Sequence, residues 1–319
     1  MTTVHRLEEI PYEKNSVITV GSFDGVHLAH QEVLGEVVRR AQNRKGRAVV
    51  LTFEPHPKEV LSGKPAQLLT TPEEKERLCE RLGVDLFFVV PFTYEFSRQS
   101  SRDFFINYLV QRIGVSEVVE GYDHHFGRDR EGSVEELLRL GKEFEFSMVA
   151  MKPVHVEEEV VSSSRIRQYL LAGAIDKAER MLGRPYSIEG TVVRGDGRGK
   201  SLGFPTANIR TSTDRKLIPA NGIYVVEVVV DDQRYAGILS IGVRPTFSDN
   251  GQQTVEVFIL EFDADLYDRN ITIRILKRLR DELKFDSVEA LIRQMHQDRE
   301  ETLRFLAQHH RNLIVSRQV

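Results

Sequence analysis

Two histidines three residues apart, His27 and His30, are the residues of this 319-residue chain whose types and spacing speak first of chemistry. They follow Val17-Ile18-Thr19-Val20-Gly21-Ser22-Phe23-Asp24-Gly25-Val26, an apolar, β-branched run that breaks at a glycine, and they stand where a helical pattern opens. A buried strand that ends in a tight turn and feeds a helix N-terminus is the usual layout of a nucleotide-phosphate site. Imidazoles placed there can meet the charge that develops when a phosphate is attacked. A metal centre would need a third ligand, and no cysteine or closely spaced carboxylate accompanies the pair. An isolated pair is also explained by one ring capping the helix and the other packing beside it; the strand–Gly–Asp-Gly context favours the phosphate site.

Three further segments of the first half carry similar chemistry. In Thr52-Phe53-Glu54-Pro55-His56-Pro57 two prolines bracket a histidine and fix a rigid loop, which is also what a plain strand stop looks like. Gly121-Tyr122-Asp123-His124-His125-Phe126-Gly127 follows a later apolar run and could line the same ligand edge, with Asp123 and Phe126 as its candidates. Val161-Ser162-Ser163-Ser164-Arg165-Ile166-Arg167 opens a helix. Its hydroxyls are first of all an N-cap, yet free N–H groups with two arginines also make an anion site.

In the second half, Arg194-Gly195-Asp196-Gly197-Arg198-Gly199-Lys200-Ser201-Leu202-Gly203 is the most glycine-dense stretch. It is not a Walker loop, because the required first glycine would sit at Arg194 and a proline with more strands follows. A basic flap that wraps phosphates with backbone N–H groups, through Gly199, Lys200 and Gly203, is one reading, and a hairpin loop is the other. Thr206 and Asn208 in Phe204-Pro205-Thr206-Ala207-Asn208 put two oxygens on the same side of an extended segment, a donor set that suits Mg²⁺ beside substrate phosphates. In Thr254-Val255-Glu256-Val257-Phe258-Ile259 the alternation sets Glu256 opposite a core face, which by itself reads as a solvated strand carboxylate.

Positioning these segments calls for two scaffolds. Up to residue 183 strand-like runs (17–20, 48–53, 85–91, 116–120, 147–151) alternate with helical patterns (31–44, 73–82, 101–113, 133–141, 165–182). That order predicts an α/β domain with a doubly wound, Rossmann-like parallel sheet whose strand C-termini share one edge, the edge where ligands of such sheets bind. From 184 onward, strand-like segments (187–193, 222–230, 233–241, 254–262, 270–279) are closed by one helical pattern over 287–309. They predict a small antiparallel β-barrel with a C-terminal helix. The domains are therefore expected at 1–183 and 184–319.

The composition narrows the class. Apolar and charged fractions of 40% and 29% are ordinary for a globular protein, and no apolar run is long enough to span a membrane. A formal net charge of −4 argues against a broad nucleic-acid surface. Cys79 is the only cysteine, so neither a disulfide framework nor a thiolate metal cluster is available. With no secretory h-region at the N-terminus, a cytoplasmic setting is expected.

Gly21-Ser22-Phe23-Asp24-Gly25-Val26-His27-Leu28-Ala29-His30 resembles the G-x-F-D-G-x-H-x-G-H signature of the adenylyltransferase module of bacterial bifunctional riboflavin kinase/FAD synthetases. Phe53-Glu54-Pro55-His56-Pro57 and the Ser-Ser-Ser-Arg-Ile-Arg block match two more motifs of that family, and Pro205-Thr206-Ala207-Asn208 matches its kinase signature. The resemblance implies that riboflavin and ATP give FMN, and that FMN and ATP then give FAD and pyrophosphate, both steps with Mg²⁺. It places His27 and His30 at the ATP phosphates with Gly21, Phe23, Asp24, Gly25 and His56. It places Ser163, Ser164 and Arg167 at the triphosphate tail, Thr206 and Asn208 at the metal, and Glu256 as the base for the ribityl 5′-hydroxyl. Ser240-Ile241-Gly242-Val243-Arg244-Pro245-Thr246-Phe247 also fits the family, as do Phe285, Ser287, Glu289, Gln294 and Asp298 near the flavin. Three positions depart from the pattern: Ala29 for glycine, His124 for phenylalanine and Ser164 for threonine. The first two leave open a kinase whose adenylyltransferase half is weakened. A non-catalytic flavin-binding sensor is the reading from another class. Riboflavin, FMN and ATP are the expected partners, with no nucleic acid and no membrane.

Overall fold

The computed structural model describes residues 1–121, 134–195, 203–243 and 253–309, and of residues 134–137 the backbone alone. The chain forms two compact units, Met1–Ser163 and Ser164–Val319.

The first unit runs β1 (Thr2–Val4), β2 (Ser16–Val20), α1 (Leu28–Asn43), β3 (Ala48–Glu54), α2 (Pro57–Ser62), α3 (Pro72–Arg81) and β4 (Leu86–Pro91). It continues with α4 (Tyr94–Ser97), α5 (Ser101–Phe104), β5 (Val115–Glu120), α6 (Val134–Phe144), β6 (Ser147–Ala150) and a hairpin of β7 (His155–Val156) and β8 (Glu159–Val160). Six strands form one parallel sheet in the order β1-β4-β3-β2-β5-β6. Alternate residues of β2 point to opposite faces. Ile18 and Val20 pack with Phe105, Leu109 and Ile113, whereas Val17 packs with Val33, Val37 and Ala41 of α1. Helices therefore cover both faces, which is why these strands read as continuous apolar runs. The winding reverses at β2: β3 and β4 lie on one side of it, β5 and β6 on the other. The loop after β2 thus opens at the topological switch point.

Several boundaries differ from the sequence reading. Helix α1 begins at Leu28 rather than Gln31, so His30 lies inside it and His27 is its N-cap. The predicted helix over 101–113 is α-helical for one turn and π-helical from Phe105 to Ile113, ending at Gly114. The single helix expected over 165–182 is two, α7 (Ser163–Leu171) and α8 (Ile175–Leu182). They part at Gly173, whose φ is 73° and where a Cβ would lie 2.7 Å from the Arg278 guanidinium. Both helices group with the second unit from Ser164 onward, where α8 packs on barrel strands. The compact units thus divide about twenty residues before the expected 183/184 boundary.

The second unit then runs β9 (Tyr186–Val193), β10 (Ala207–Thr211), β11 (Gly222–Val230), β12 (Gln233–Val243), β13 (Gln253–Ile259), β14 (Asn270–Arg280) and α9 (Val288–His309). The six strands close into an antiparallel barrel in the order β10-β13-β12-β11-β14-β9. Strand β10, which carries Asn208, was read from sequence only as an extended segment; here it closes the barrel between β9 and β13. Leu306 of α9 packs with Val225, Ala236, Leu260 and Leu276.

Candidate active sites

The segment after β2 is a tightly tied loop. Phe23 and Val26 have φ of 46° and 38°, values that cost a non-glycine residue about 1–3 kcal/mol each unless the surroundings impose them. The surroundings are visible. The buried Asp24 carboxylate accepts from the backbone N–H groups of Leu69 (2.9 Å) and Thr70 (3.0 Å), and the Thr70 hydroxyl accepts from Gly25 N–H (3.0 Å). Gln31 donates to the Val26 carbonyl at 2.8 Å, Ser163 to the Asp24 carbonyl at 2.9 Å, and Thr52 to the Ser22 carbonyl at 3.2 Å. Gly21 lets the Phe23 ring lie close over it; a Cβ there would stand 3.1 Å from that ring, which would have to shift. The residues 69–74 that clasp Asp24 end in a capping box, Thr71 N–H to Glu74 at 2.9 Å and Glu74 N–H to Thr71 at 3.2 Å. That T-x-x-E pattern is legible in sequence; the contact of Leu69, just before it, with Asp24, 45 residues away, is not.

The two histidines act as one stacked unit. Their ring centroids are 3.6 Å apart at 17°, Phe23 packs edge-on against His30, and His27 Nδ1 accepts from the His30 backbone N–H at 3.4 Å. The capping interpretation and the functional one are thus compatible: His27 caps α1, and both rings sit at the switch point. His56 likewise caps α2, accepting from Lys58 N–H at 3.2 Å, at the end of the strand next to β2. Ser163 is the first residue of α7, and Ser164 and Arg167 follow on the same helix. Ala29 lies in regular α-helix, half-buried, with a backbone that asks nothing of glycine. Asp24, expected at the nucleotide, has its carboxylate turned onto the residue 69–70 backbone, so it shapes the loop from behind.

In the barrel, Thr206 and Glu256 are joined: the Thr206 hydroxyl donates to Glu256 Oε2 at 3.1 Å. Asn208 is the register partner of Glu256 across β10 and β13, and Ser240 is its partner across β12. The alternation of β13 behaves as expected, with Val255, Val257 and Ile259 in the core. Glu256 is nevertheless half-buried, because it lines a cavity of about 350 Å³ with Phe204, Thr206, Ile238, Phe258, Phe285 and Asp298. Arg280 closes bidentately on Asp298 (2.9 and 2.6 Å), and Gln294 adds a third bond to that carboxylate at 3.0 Å. Ser287 caps α9 by accepting from Ala290 N–H at 3.2 Å, and Glu289 is exposed on its first turn. Beyond Phe204 and Phe258 lies a second cavity of about 550 Å³, lined by Gly203, Pro205, His296 and Arg299. Sequence reasoning missed Arg280, the last residue of β14, which lies in the basic run Lys277-Arg278-Leu279-Arg280.

Asp123, His124 and Phe126, the flap residues Gly199 and Lys200, and residues 244–247 lie outside the described residues. Cys79 is buried, and burial pushes its thiol up to about 12, which leaves no thiolate for chemistry. Among the described residues no group of three or more His, Cys, Asp or Glu side chains is placed to hold a metal.

Comparison with known proteins shows the family of both halves of the chain. Residues 9–165 match the FAD synthetase family model and residues 182–306 the riboflavin kinase model. A bifunctional riboflavin kinase/FMN adenylyltransferase from Listeria monocytogenes is 39% identical over 295 residues, covering 92% of this chain and 93% of that protein. The protein of the same description from Bacillus subtilis is 33% identical over 299 residues, covering 92% and 94%. A crystal structure described as a macrolide-efflux protein from Streptococcus pneumoniae superposes with a TM-score of 0.85 at 33% identity, covering 95% of this chain and 98% of that one. Among the described residues of this chain, no helix is long and apolar enough to cross a membrane.

Proposed function

From the premise that this chain belongs to the bifunctional riboflavin kinase/FMN adenylyltransferase family, a family of transferases with both activities, we propose which of its residues carry each transfer. The observation that carries the assignment is the meeting of Thr206 and Glu256, 50 residues apart, on the wall of an apolar cavity.

In the barrel, riboflavin lies in the 350 Å³ cavity with its ring system between Phe204, Ile238 and Phe258 and its ribityl chain toward Glu256. Glu256 orients the 5′-hydroxyl and takes its proton as the bond to phosphorus forms. ATP enters from the side of Gly203 and the 550 Å³ cavity, which shares Phe204 and Phe258 with the flavin side. Thr206 and Asn208 are hard oxygen donors beside Glu256, a set that fits Mg²⁺ bound mainly by substrate phosphates. Mg²⁺ held there would neutralise triphosphate charge.

In the first unit, the Gly21–His30 loop at the switch point receives the second ATP. The N-terminal N–H groups of α1 and the stacked His27 and His30 face the α-phosphate as the FMN phosphate attacks and pyrophosphate leaves. Ser163, whose hydroxyl donates to the Asp24 carbonyl of this loop, supplies a hydroxyl on the side of the departing phosphates. His56 stands at the neighbouring strand end. The use of ATP together with a single inert cysteine supports a cytoplasmic setting.

Incubation of the protein with riboflavin and MgATP, with the flavins resolved by chromatography, tests the reading. FMN followed by FAD is expected. FMN alone would favour a kinase with a weakened adenylyltransferase half, and unchanged riboflavin would refute both assignments.

A further inference from the structure

The loop between β2 and α1 is strained at Phe23 and Val26, and the contacts that hold it include one that begins at a buried cation. Lys75, on the first turns of α3, is buried, and its ammonium donates to the Thr52 hydroxyl at 3.2 Å. The Thr52 hydroxyl in turn donates to the Ser22 carbonyl at 3.2 Å. Ser22 C=O belongs to the peptide that leads into Phe23, the first residue with positive φ. A charged donor at the head of such a chain polarises and strengthens the bond that follows it.

A lysine under a sheet edge is costly to bury, and something must repay the loss of solvation. Burial pushes the Lys75 ammonium down from the ordinary lysine value, against the pull of Asp24 and Glu54. Those two carboxylates belong to the loop after β2 and to the end of β3, the two strand ends that flank the proposed adenylyl-transfer site. The cation therefore touches β3 directly, the loop through Thr52, and the carboxylates of both through charge.

We infer that Lys75 is a positioning residue for adenylyl transfer: through the Thr52 hydroxyl it braces the Ser22 carbonyl and holds the strained Phe23–Val26 backbone in the form that presents His27 and His30. The inference rests on the assignment of adenylyl transfer to this loop. It predicts that the loop stays folded without the brace but samples other backbone forms, so that turnover falls more than nucleotide affinity does.

The full-length chain supplies its own control, because the barrel reports on riboflavin phosphorylation in the same sample. K75M, T52V and the double variant K75M/T52V are compared with the wild type for FAD formation from FMN and for FMN formation from riboflavin. Each single variant is expected to lower kcat for FAD formation roughly ten- to hundredfold, with a much smaller change in KM for ATP and kinase rates unchanged. The double variant is expected to be no worse than K75M alone, because both act through one chain of bonds. A folded K75M with a kcat within about twofold of wild type, or losses that multiply in the double variant, overturns the inference. Should K75M fail to fold, T52V decides alone, and a wild-type kcat for it is equally fatal. A wild type that forms FMN but no FAD removes the premise, an outcome distinct from either variant result.

Discussion

The Thr206 hydroxyl donates to the Glu256 carboxylate at 3.1 Å, and this bond joins the segment just before β10 to the middle of barrel strand β13. It aims the carboxylate into the cavity instead of leaving it solvated on a strand face. The pairing ties the residue that would take a proton to the residue that would hold the metal.

If Glu256 takes the hydroxyl proton, Glu256→Gln keeps the size and the bond to Thr206 but removes the base. Riboflavin phosphorylation should fall about 10²–10⁴-fold, the usual range for a general base. FMN-to-FAD conversion in the same preparation should stay near wild type. Steady-state rates of the two steps, followed by flavin chromatography, check both statements.

His30→Ala should do the reverse. The substitution leaves the backbone N–H that His27 accepts, so the start of α1 survives, but it removes the ring stacked at 3.6 Å. FAD formation should fall about 10²–10³-fold, as when one electrostatic partner of a transferring group is lost. FMN formation should be unaffected. A folded variant that lost both steps would contradict two separate sites.

Asp24→Asn tests the loop's foundation. The carboxylate faces the N–H donors of Leu69 and Thr70, and an amide turns its own donors toward at least one of them. Destabilisation of about 1.5–3 kcal/mol is expected, from loss of hydrogen bonds to a charged acceptor. The measurement is the urea midpoint of the unfolding transition, with adenylyl transfer assayed well below it.

Glu36 supplies a pH dependence. Its side chain bonds Arg39 at 2.6 Å and Arg40 at 2.6 Å, and these guanidinium groups hold its carboxyl down at about 2. The folded value lies below the ordinary one of 4.5, so the stabilising contribution is present above pH 4.5 and is lost as pH falls through about 2. Glu36 is half-buried but its partner Arg39 is exposed, and solvent screening of the pair limits the effect to about 1 kcal/mol or less. Urea unfolding of wild type and Glu36→Gln should differ at neutral pH and converge on acidification across that window.

Both architectures were legible in the sequence. Continuous apolar runs separated by amphipathic helices specify a sheet covered on both faces, and alternating strands between Gly, Asp and Asn turns specify the barrel. Illegible were the breaks that depend on distant partners. The division of α7 from α8 follows from Gly173 meeting Arg278, more than a hundred residues further on. The role of β10 follows from its pairing with β9 and β13, which no local propensity encodes.

The sequence by itself determined which chemical groups this protein owns: the His-x-x-His pair after a strand, the Ser-Arg helix start, the Thr and Asn oxygens and one glutamate on an alternating strand. Those are local patterns, and local patterns are carried by residue type and spacing. Only the tertiary structure decided how the groups are held. It turned the Asp24 carboxylate onto the residue 69–70 backbone, stacked His27 on His30, and joined Thr206 to Glu256. It also placed the buried Lys75 beneath Thr52 and Ser22. Hydrogen bonds and charge pairs between segments tens of residues apart depend on where the fold brings the backbone, and strand and helix periodicity carries no record of that meeting.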